Sequence, residues 1–412
     1  MSGQPAEHVG MAYKLPRGRV IYQRSMSWQA GKVKFYVQIP HILPAPMVLL
    51  LNSLFCRNSC IPDFYGFSAK SLWLDITCHT ASLFRFPWIP GPVINLRRNR
   101  AVFPMSNPQS IAVGGTIAID NVKTPDAEAE NLLGGSAAYA ALAASFFTRP
   151  VSLIGIIGHD FPKPHLDMLE SRGISLDGVE RSPSESFTWT GEYHANMNER
   201  TTHRVGLNVL ESWQVKVPAS AKSAGIVVLA NMSPDNQLEM LAQMDHEDPF
   251  VIADTMDLWI EIANERLHEV LPQLDLFVLN EGEARELAGT TNLVKAGRVL
   301  LEKGPKNVVV KLGEFGAILF TADGSLFRSS AYPLDAVADP TGAGDTFLGA
   351  MAGYLASIGT SPHETANLRQ AVIKGSILAS FTCEAFSTRK LEEIEFSHLD
   401  ERLAEFRALT HW

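Results

Sequence analysis

Cysteine is scarce in this chain, and its four copies are unevenly placed. Cys56, Cys60 and Cys78 lie within residues 1–104, and Cys383 stands alone in the remainder. The long C-terminal part therefore has no internal disulfide, which fits a reducing, cytoplasmic setting. No uninterrupted apolar run reaches about 18 residues, so no membrane-spanning helix is expected. The stretch "PMVLLLNSLF" is too short to span and too far from Met1 for an ordinary signal peptide. A positive excess is also missing: the net charge is −9, which argues against a dedicated nucleic-acid binder. No Gly-Lys-Ser/Thr follows a glycine-rich loop, so a Walker loop is excluded, and "VGGTIAID" lacks the spacing of a dinucleotide fingerprint. No repeat of roughly 20–50 residues is visible.

What is present is apolar material. Of 412 residues, 46% are hydrophobic and 19% charged, enough for one large α/β domain with additions. Charge divides the chain. Residues 1–104 hold twelve Lys/Arg against three Asp/Glu, and the rest holds 23 against 41. The first part lacks periodicity and scatters Pro, Trp and Arg. Its Cys56 and Cys60, with Cys78 and His79, have a spacing that suits a metal only under tight geometry. So many tryptophans and prolines fit poorly with a targeting peptide. Residues 1–104 are read as a poorly ordered or spurious N-terminal extension, with the working chain starting at Met105 and a single large domain over 105–412.

From there the pattern turns regular. "SIAVGGTIAID" reads as a buried strand, "GGSAAYAALAASFF" as a small-residue helix after Gly134 and Gly135, and "PVSLIGIIGHD" as a second strand. "SFTWTGEYHA" alternates Phe187, Trp189, Gly191 and Tyr193 with Thr188, Thr190, Glu192 and His194, a sheet with one covered and one wet face. With "RTTHRVGLNVL" as its pair, it makes a small β lid over about 185–212. Strands and helices then alternate through "GIVVLAN", "PFVIAD", "LDLFVLN" and "NVVVKLG", each followed by helical periodicity, which predicts a mostly parallel sheet covered on both faces. Ligands of such sheets sit at the strand ends.

The most informative stretch is "ADPTGAGDTFLGAM", residues 338–351. Thr341, Gly342, Ala343 and Gly344 precede a helix whose first turn has unpaired amides and a partial positive charge. Glycines let an anion approach the backbone. The result is a pocket for phosphate or developing negative oxygen. Asp345 beside it would repel phosphate, but it can take a proton from a hydroxyl attacking that phosphate. Against this stands a plain first-turn acid stabilising the helix, worth about 0.3–1 kcal/mol.

"DPTGAGDTF" resembles the C-terminal signature of the ribokinase-like (PfkB-type) carbohydrate kinases. "GGTIAID", "GGSAAYAALA", "IGIIGHDF", "LNEGEA" and "VVVKLGEFGAILF" resemble further family segments in the family's order, over roughly residues 108–390. The resemblance implies an α/β three-layer sandwich with a central mostly parallel sheet and a small β-sheet lid. It implies an ATP-dependent kinase acting on a hydroxymethyl-type alcohol of a sugar or sugar derivative. Carried over, Asp345 is the catalytic base, and the amides of Gly342, Ala343 and Gly344 form the anion hole. Asn280 and Glu283 organise Mg²⁺ through water, and Lys311, Gly313 and Gly316 lie on the nucleotide side. Asp120 holds sugar hydroxyls with Gly134 and Gly135 beside it, and Asp339 and Thr341 match positions that bind K⁺ in many members. Tyr139 departs from the family's usual Asn and leaves room for a nucleoside, so a nucleoside kinase of the same fold is the alternative. A catalytically idle ligand-binding relative is opposed by the intact Gly-Ala-Gly-Asp and Asn-x-x-Glu stretches. A homodimer through the lid is implied by resemblance alone, with no nucleic-acid or membrane partner. Asp254 and Asp160 read as structural strand-end acids. His194, His203 and Arg204 read as exposed lid residues, Trp189 and Tyr193 as packing of the small sheet, and Cys383 as a buried small residue.

Overall fold

A computed structural model describes residues 109–411 throughout, together with five strands within residues 1–99. The chain divides into two compact units, Met1–Asn99 and Arg100–Trp412. In the first, β1 (Val9–Tyr13), β2 (Tyr22–Gln29) and β3 (Lys32–Gln38) form an antiparallel sheet, and β4 (Pro62–Ser68) pairs antiparallel with β5 (Ser71–Ile76). Those strands aside, the N-terminal extension, the Met105 start and the Cys56, Cys60, Cys78 and His79 ligand set lie outside the described residues.

The second unit carries β6 (Ile111–Gly114), β7 (Ala118–Lys123), β8 (Glu128–Gly134), β9 (Val151–Ile157), β10 (Ile174–Arg181), β11 (Phe187–Tyr193) and β12 (Arg200–Gly206). It continues with β13 (Ile226–Leu229), β14 (Phe250–Asp254), β15 (Leu276–Asn280), β16 (Asn307–Lys311), β17 (Ala317–Phe320) and β18 (Leu326–Ser329). Nine of these form one sheet, ordered β10-β9-β6-β13-β14-β15-β16-β17-β18. Every pairing from β10 to β16 is parallel, and the last two are antiparallel. Successive residues of a buried strand feed opposite cores: Ile226 and Val228 join one cluster, and Val227 and Leu229 the other. Helices cover both faces, so the expected three-layer α/β sandwich with a mostly parallel sheet is what the chain forms.

The small-residue runs have a packing reason. The helices Ser136–Ser145 and Ala343–Ser357 touch backbone to backbone. A Cβ at Gly349 would fall 2.1 Å from the Ala140 carbonyl oxygen, and one at Gly353 would fall 2.7 Å from Ala144 Cα. Ala and Gly therefore set how closely the helix Ala343–Ser357 approaches its neighbour.

Two elements differ from the sequence reading. "SIAVGGTIAID" is not one strand but two. The chain leaves the main sheet at Gly114 and re-enters β7 in a separate four-stranded sheet, ordered β12-β11-β7-β8. The break sits where glycine is needed, since a Cβ on Gly115 would crowd Ser136 Oγ at 2.9 Å and Ala230 at 3.0 Å. The lid is accordingly wider than residues 185–212, because β7 and β8 supply half its strands. The run "LWIEIANERLHEVL" forms two short helices, Asp257–Ile262 and Asn264–Val270, interrupted at Ala263. Among the described residues no helix is long and apolar enough to cross a membrane.

Candidate active site

The carboxyl ends of the parallel strands converge. Asp254 ends β14, Asn280 ends β15 and Lys311 ends β16. The loop before the helix Ala343–Ser357 delivers the remaining groups. Gly342 is its N-cap, in the left-handed region at φ 76°, and no side chain caps this helix. A Cβ there would stand 2.3 Å from the Tyr139 ring, so glycine is required twice, by conformation and by space. Ala343 donates its amide to the Pro340 carbonyl at 3.2 Å. The amides of Gly342 and Gly344 make no such bond among the described residues and remain open to an anion. Lys311 Nζ crowds the outer side of Gly344, lying 2.9 Å from where a Cβ would sit.

Asp345 is half-buried in the first turn of this helix. Burial raises its carboxyl above the ordinary range, while Lys311 and Arg200 pull it part of the way back. Asp120 is 5% exposed and is pushed up to about 8 by burial, then by Asp339 and Asp345. Room for its carboxylate comes from Gly134, where a Cβ would be 2.1 Å from Oδ2. Gly135 has φ 90° and presses on the Thr116 carbonyl. Tyr139 is buried beneath Gly342.

Asp339 is fully buried, and its two oxygens accept from the amides of Thr341 at 2.9 Å and Ser387 at 3.1 Å. It thereby ties the loop before the helix Ala343–Ser357 to a segment 48 residues downstream. Thr341 donates its hydroxyl to Tyr193 Oη of the lid at 3.3 Å, so Tyr193 does more than pack the small sheet.

Asn280 and Glu283 form a capping box on the helix Glu281–Ala288. The Asn280 amide donates to Glu283 Oε2 at 2.8 Å, and the Glu283 amide donates to Asn280 Oδ1 at 2.9 Å. Burial raises the Glu283 carboxyl, and Lys311 opposes that rise. Gly313 faces the lid tip, 3.5 Å from Asn198 Oδ1 when given a Cβ. Gly316 has a sheet role instead: a Cβ there would strike the Ser329 carbonyl oxygen at 2.0 Å.

Two groups escaped the sequence reading. Asp254, read as structural, is buried with Oδ1 lacking any hydrogen-bond partner, and Thr255 Oγ1 is likewise unpaired. Burial, then Asp345, lifts the Asp254 carboxyl well above its ordinary value. A strand-end position was its only signal. Arg200, at the lid tip, acts electrostatically on Asp345, Glu283 and Tyr193, and nothing in its local sequence marked it. Asp160 stays structural: its Oδ1 accepts from the Ser186 amide and hydroxyl, both at 2.7 Å, anchoring the start of β11.

The sequence pattern of the pfkB family of carbohydrate kinases matches residues 110–394. This chain belongs to that family. As a PfkB carbohydrate kinase it is an ATP-binding phosphotransferase with an alcohol group as acceptor, within the sugar and nucleoside kinases. Its relatives include a cytidine kinase of Thermococcus kodakarensis, 29% identical over 250 residues, which cover 59% of this chain and 88% of that protein. A 2-dehydro-3-deoxygluconokinase of Thermoproteus tenax is 28% identical over 287 residues, covering 63% and 86%. Among solved structures, a putative ribokinase II from E. coli in complex with ATP and Mg²⁺ matches with TM-score 0.61 at 18% identity, over 72% of this chain and 99% of that one. The fold of this PfkB kinase is thus the ribokinase-like one.

Proposed function

We propose that this kinase transfers the γ-phosphoryl group of ATP to a hydroxymethyl-type alcohol of a sugar or nucleoside, with Asp345 as general base. The observation that carries the reading is the uncapped helix mouth at Gly342–Gly344, with Lys311 on one side and a burial-shifted carboxylate in its first turn. The alcohol oxygen attacks phosphorus in line and loses its proton to Asp345. The bond from phosphorus to the bridging oxygen breaks, and its electron pair leaves with ADP. The amides of Gly342 and Gly344 and the Lys311 ammonium hold the charge on the equatorial oxygens. Asp120 orients acceptor hydroxyls.

The residues present fit a divalent cation. Asp254 Oδ1 is an orphaned buried oxygen, and Glu283 keeps Oε1 free of protein hydrogen bonds among the described residues. No group of three or more ligating side chains is present among the described residues. That suits Mg²⁺, which is usually held by one or two carboxylates plus phosphate oxygens and water. When bound there, Mg²⁺ neutralises charge on the phosphates. Asp339, buried without a cationic partner, is the residue that would face K⁺.

A nucleoside acceptor is favoured by one further observation. Trp189 is the parallel register partner of Asp120, so both side chains stand on the same face of the lid sheet. The indole lies across Gly191, where a Cβ would be 2.2 Å from its ring, and its N–H donates to Thr202 Oγ1 at 3.3 Å. A flat aromatic wall beside a hydroxyl-binding acid suits a base joined to a ribose. The cytidine kinase relative points the same way. A panel of sugars and nucleosides assayed by ADP release tests this. Turnover of a nucleoside above every free sugar is the expected result, and turnover of none of them would overturn the kinase reading.

A further inference from the structure

The loop that leads to Gly342 rests on the end of another helix. The helix Thr365–Thr382 finishes at Cys383, and the last carbonyls of a helix lack partners inside it. The Cys383 carbonyl accepts from the amides of Ala338 at 2.8 Å and Asp339 at 3.4 Å. Beside it, Thr382 donates its hydroxyl to Thr346 Oγ1 at 2.9 Å, with both side chains fully buried. Thr346 directly follows Asp345. Ser387 completes the cradle with its amide on Asp339 Oδ2 at 3.1 Å. The mouth at Gly342–Gly344 is therefore held on both flanks by one short segment, residues 382–387.

That segment is gripped in turn by Arg402, which lies in the helix Phe396–Thr410. Its Nη1 donates to Ser380 Oγ at 3.0 Å and its Nη2 donates to Glu384 Oε1. These two acceptors stand four residues apart and bracket Thr382 and Cys383. The guanidinium carbon lies 3.4 Å from the centre of the Phe381 ring and 4.7 Å from that of Tyr332, so the fork is clamped between aromatic rings. The Arg402 side chain is 14% exposed and that of Glu384 is 24% exposed. A charge pair drawn this far from water is a poor source of stability, since an apolar side chain of the same volume often does as well or better. What the fork supplies is geometry: two donors at set positions across the end of a helix.

We propose that Arg402 is a positioning residue for phosphoryl transfer: it fixes the end of the helix Thr365–Thr382, and through it the placement of the open amides beside Asp345. The assignment rests on the helix-mouth reading above. Arg402 touches neither nucleotide nor acceptor and exchanges no proton. Without it, Thr382 and Cys383 shift, and the amides of Gly342 and Gly344 move off the place where negative charge develops. Such a shift weakens the transition state more than the bound ground state, so it lowers kcat and spares KM.

The test uses the full-length protein at fixed Mg²⁺ and K⁺, with ATP and the acceptor of highest turnover in the sugar and nucleoside panel. Steady-state kinetics are read beside thermal unfolding. In Arg402→Met, which keeps the bulk and removes the fork, kcat is expected to fall about tenfold or more, with both KM values within about twofold of wild type. Arg402→Lys restores the charge and one donor, and it should recover part of that loss. Glu405→Ala is the control. It unties the same helix from Tyr332, whose hydroxyl donates to Glu405 Oε2 at 2.8 Å, without touching the grip on Ser380 and Glu384. It should lower the melting temperature and leave kcat within about twofold. The assignment is overturned if Arg402→Met keeps kcat within about twofold, or if Glu405→Ala loses as much kcat as Arg402→Met. It is also overturned if Arg402→Lys does no better than Arg402→Met. Should Arg402→Met fail to fold, the same split is read in Glu384→Gln, where kcat is expected to fall about threefold or more with KM unchanged. Gly342→Ala is run in parallel. If it turns over normally, the helix-mouth reading has failed, while the contrast between Arg402 and Glu405 still judges whether the C-terminal helix governs the rate.

Discussion

Two helices begin at strand ends in the same cleft, and they solve the problem of the first turn in opposite ways. The helix Glu281–Ala288 is closed by a reciprocal capping box, in which the amides of Asn280 and Glu283 donate to each other's side chains. The helix Ala343–Ser357 has a glycine at its N-cap and no side-chain cap, and the amides of Gly342 and Gly344 are left open. A closed mouth is scaffold: it fixes the angle of the helix and the position of the Glu283 carboxylate. An open mouth keeps a local deficit that a ligand can fill, and it sits beside Asp345, half-buried in the same first turn. Helix starts that look alike in sequence therefore differ in function according to whether the chain supplies its own cap.

The comparison is broken most directly at Asp345. Asp345→Asn should lower turnover about 100- to 10,000-fold while ATP binding by calorimetry persists. With Asp345 as the proposed base, activity needs its carboxylate, whose folded value is raised by burial. Activity should therefore climb with pH through a limb above the ordinary carboxylate range. The raised folded value also means that the native state holds this proton longer than the unfolded chain. Stability thus falls as pH rises between the two values. The Asn variant should lose that limb, and its stability should fall less over the same range, with the raised carboxyls of Asp120, Asp254 and Glu283 still contributing.

A smaller effect is expected from a pair of glycines that share a left-handed backbone. Gly342 and Gly289 have φ of 76° and 64°. Around Gly342 a Cβ meets Tyr139 at 2.3 Å, and around Gly289 it meets nothing within 4 Å. Gly289→Ala should cost about 1 kcal/mol of stability and leave turnover intact. Gly342→Ala should lose turnover about 100-fold as well as melting temperature. Equal effects at both positions would show that the open mouth has no special standing.

The smallest effect is at the closed mouth. Asn280→Ala removes one cap and should cost about 1 kcal/mol, read by denaturant unfolding. If the Mg²⁺ dependence of turnover also shifts, Asn280 does more than cap.

Much of this was legible in one dimension because it is local. The Gly-Ala-Gly-Asp stretch carries its left-handed turn, its open amides and its acid within a few consecutive residues. The near-continuous apolar strands announce a sheet buried on both faces. The lid's full width was not legible, because the apolar β-branched run "SIAVGGTIAID" continues past Gly114 and Gly115, where the chain changes sheets. That Asp254 would leave an oxygen unpaired was not legible, because a strand-end acid looks the same whether or not its oxygen finds a partner.

Alone, the sequence determined the three-layer α/β architecture, the open helix mouth and the identity of the acid beside it. These depend on backbone freedom and periodicity, which neighbouring residues set among themselves. Only the tertiary structure decided that Asp339 would brace the loop from Ser387, that Tyr139 would lie beneath Gly342, and that Thr341 would reach Tyr193 of the lid. Those outcomes depend on strand order and register, which bring together residues that are far apart in the chain and share no local pattern.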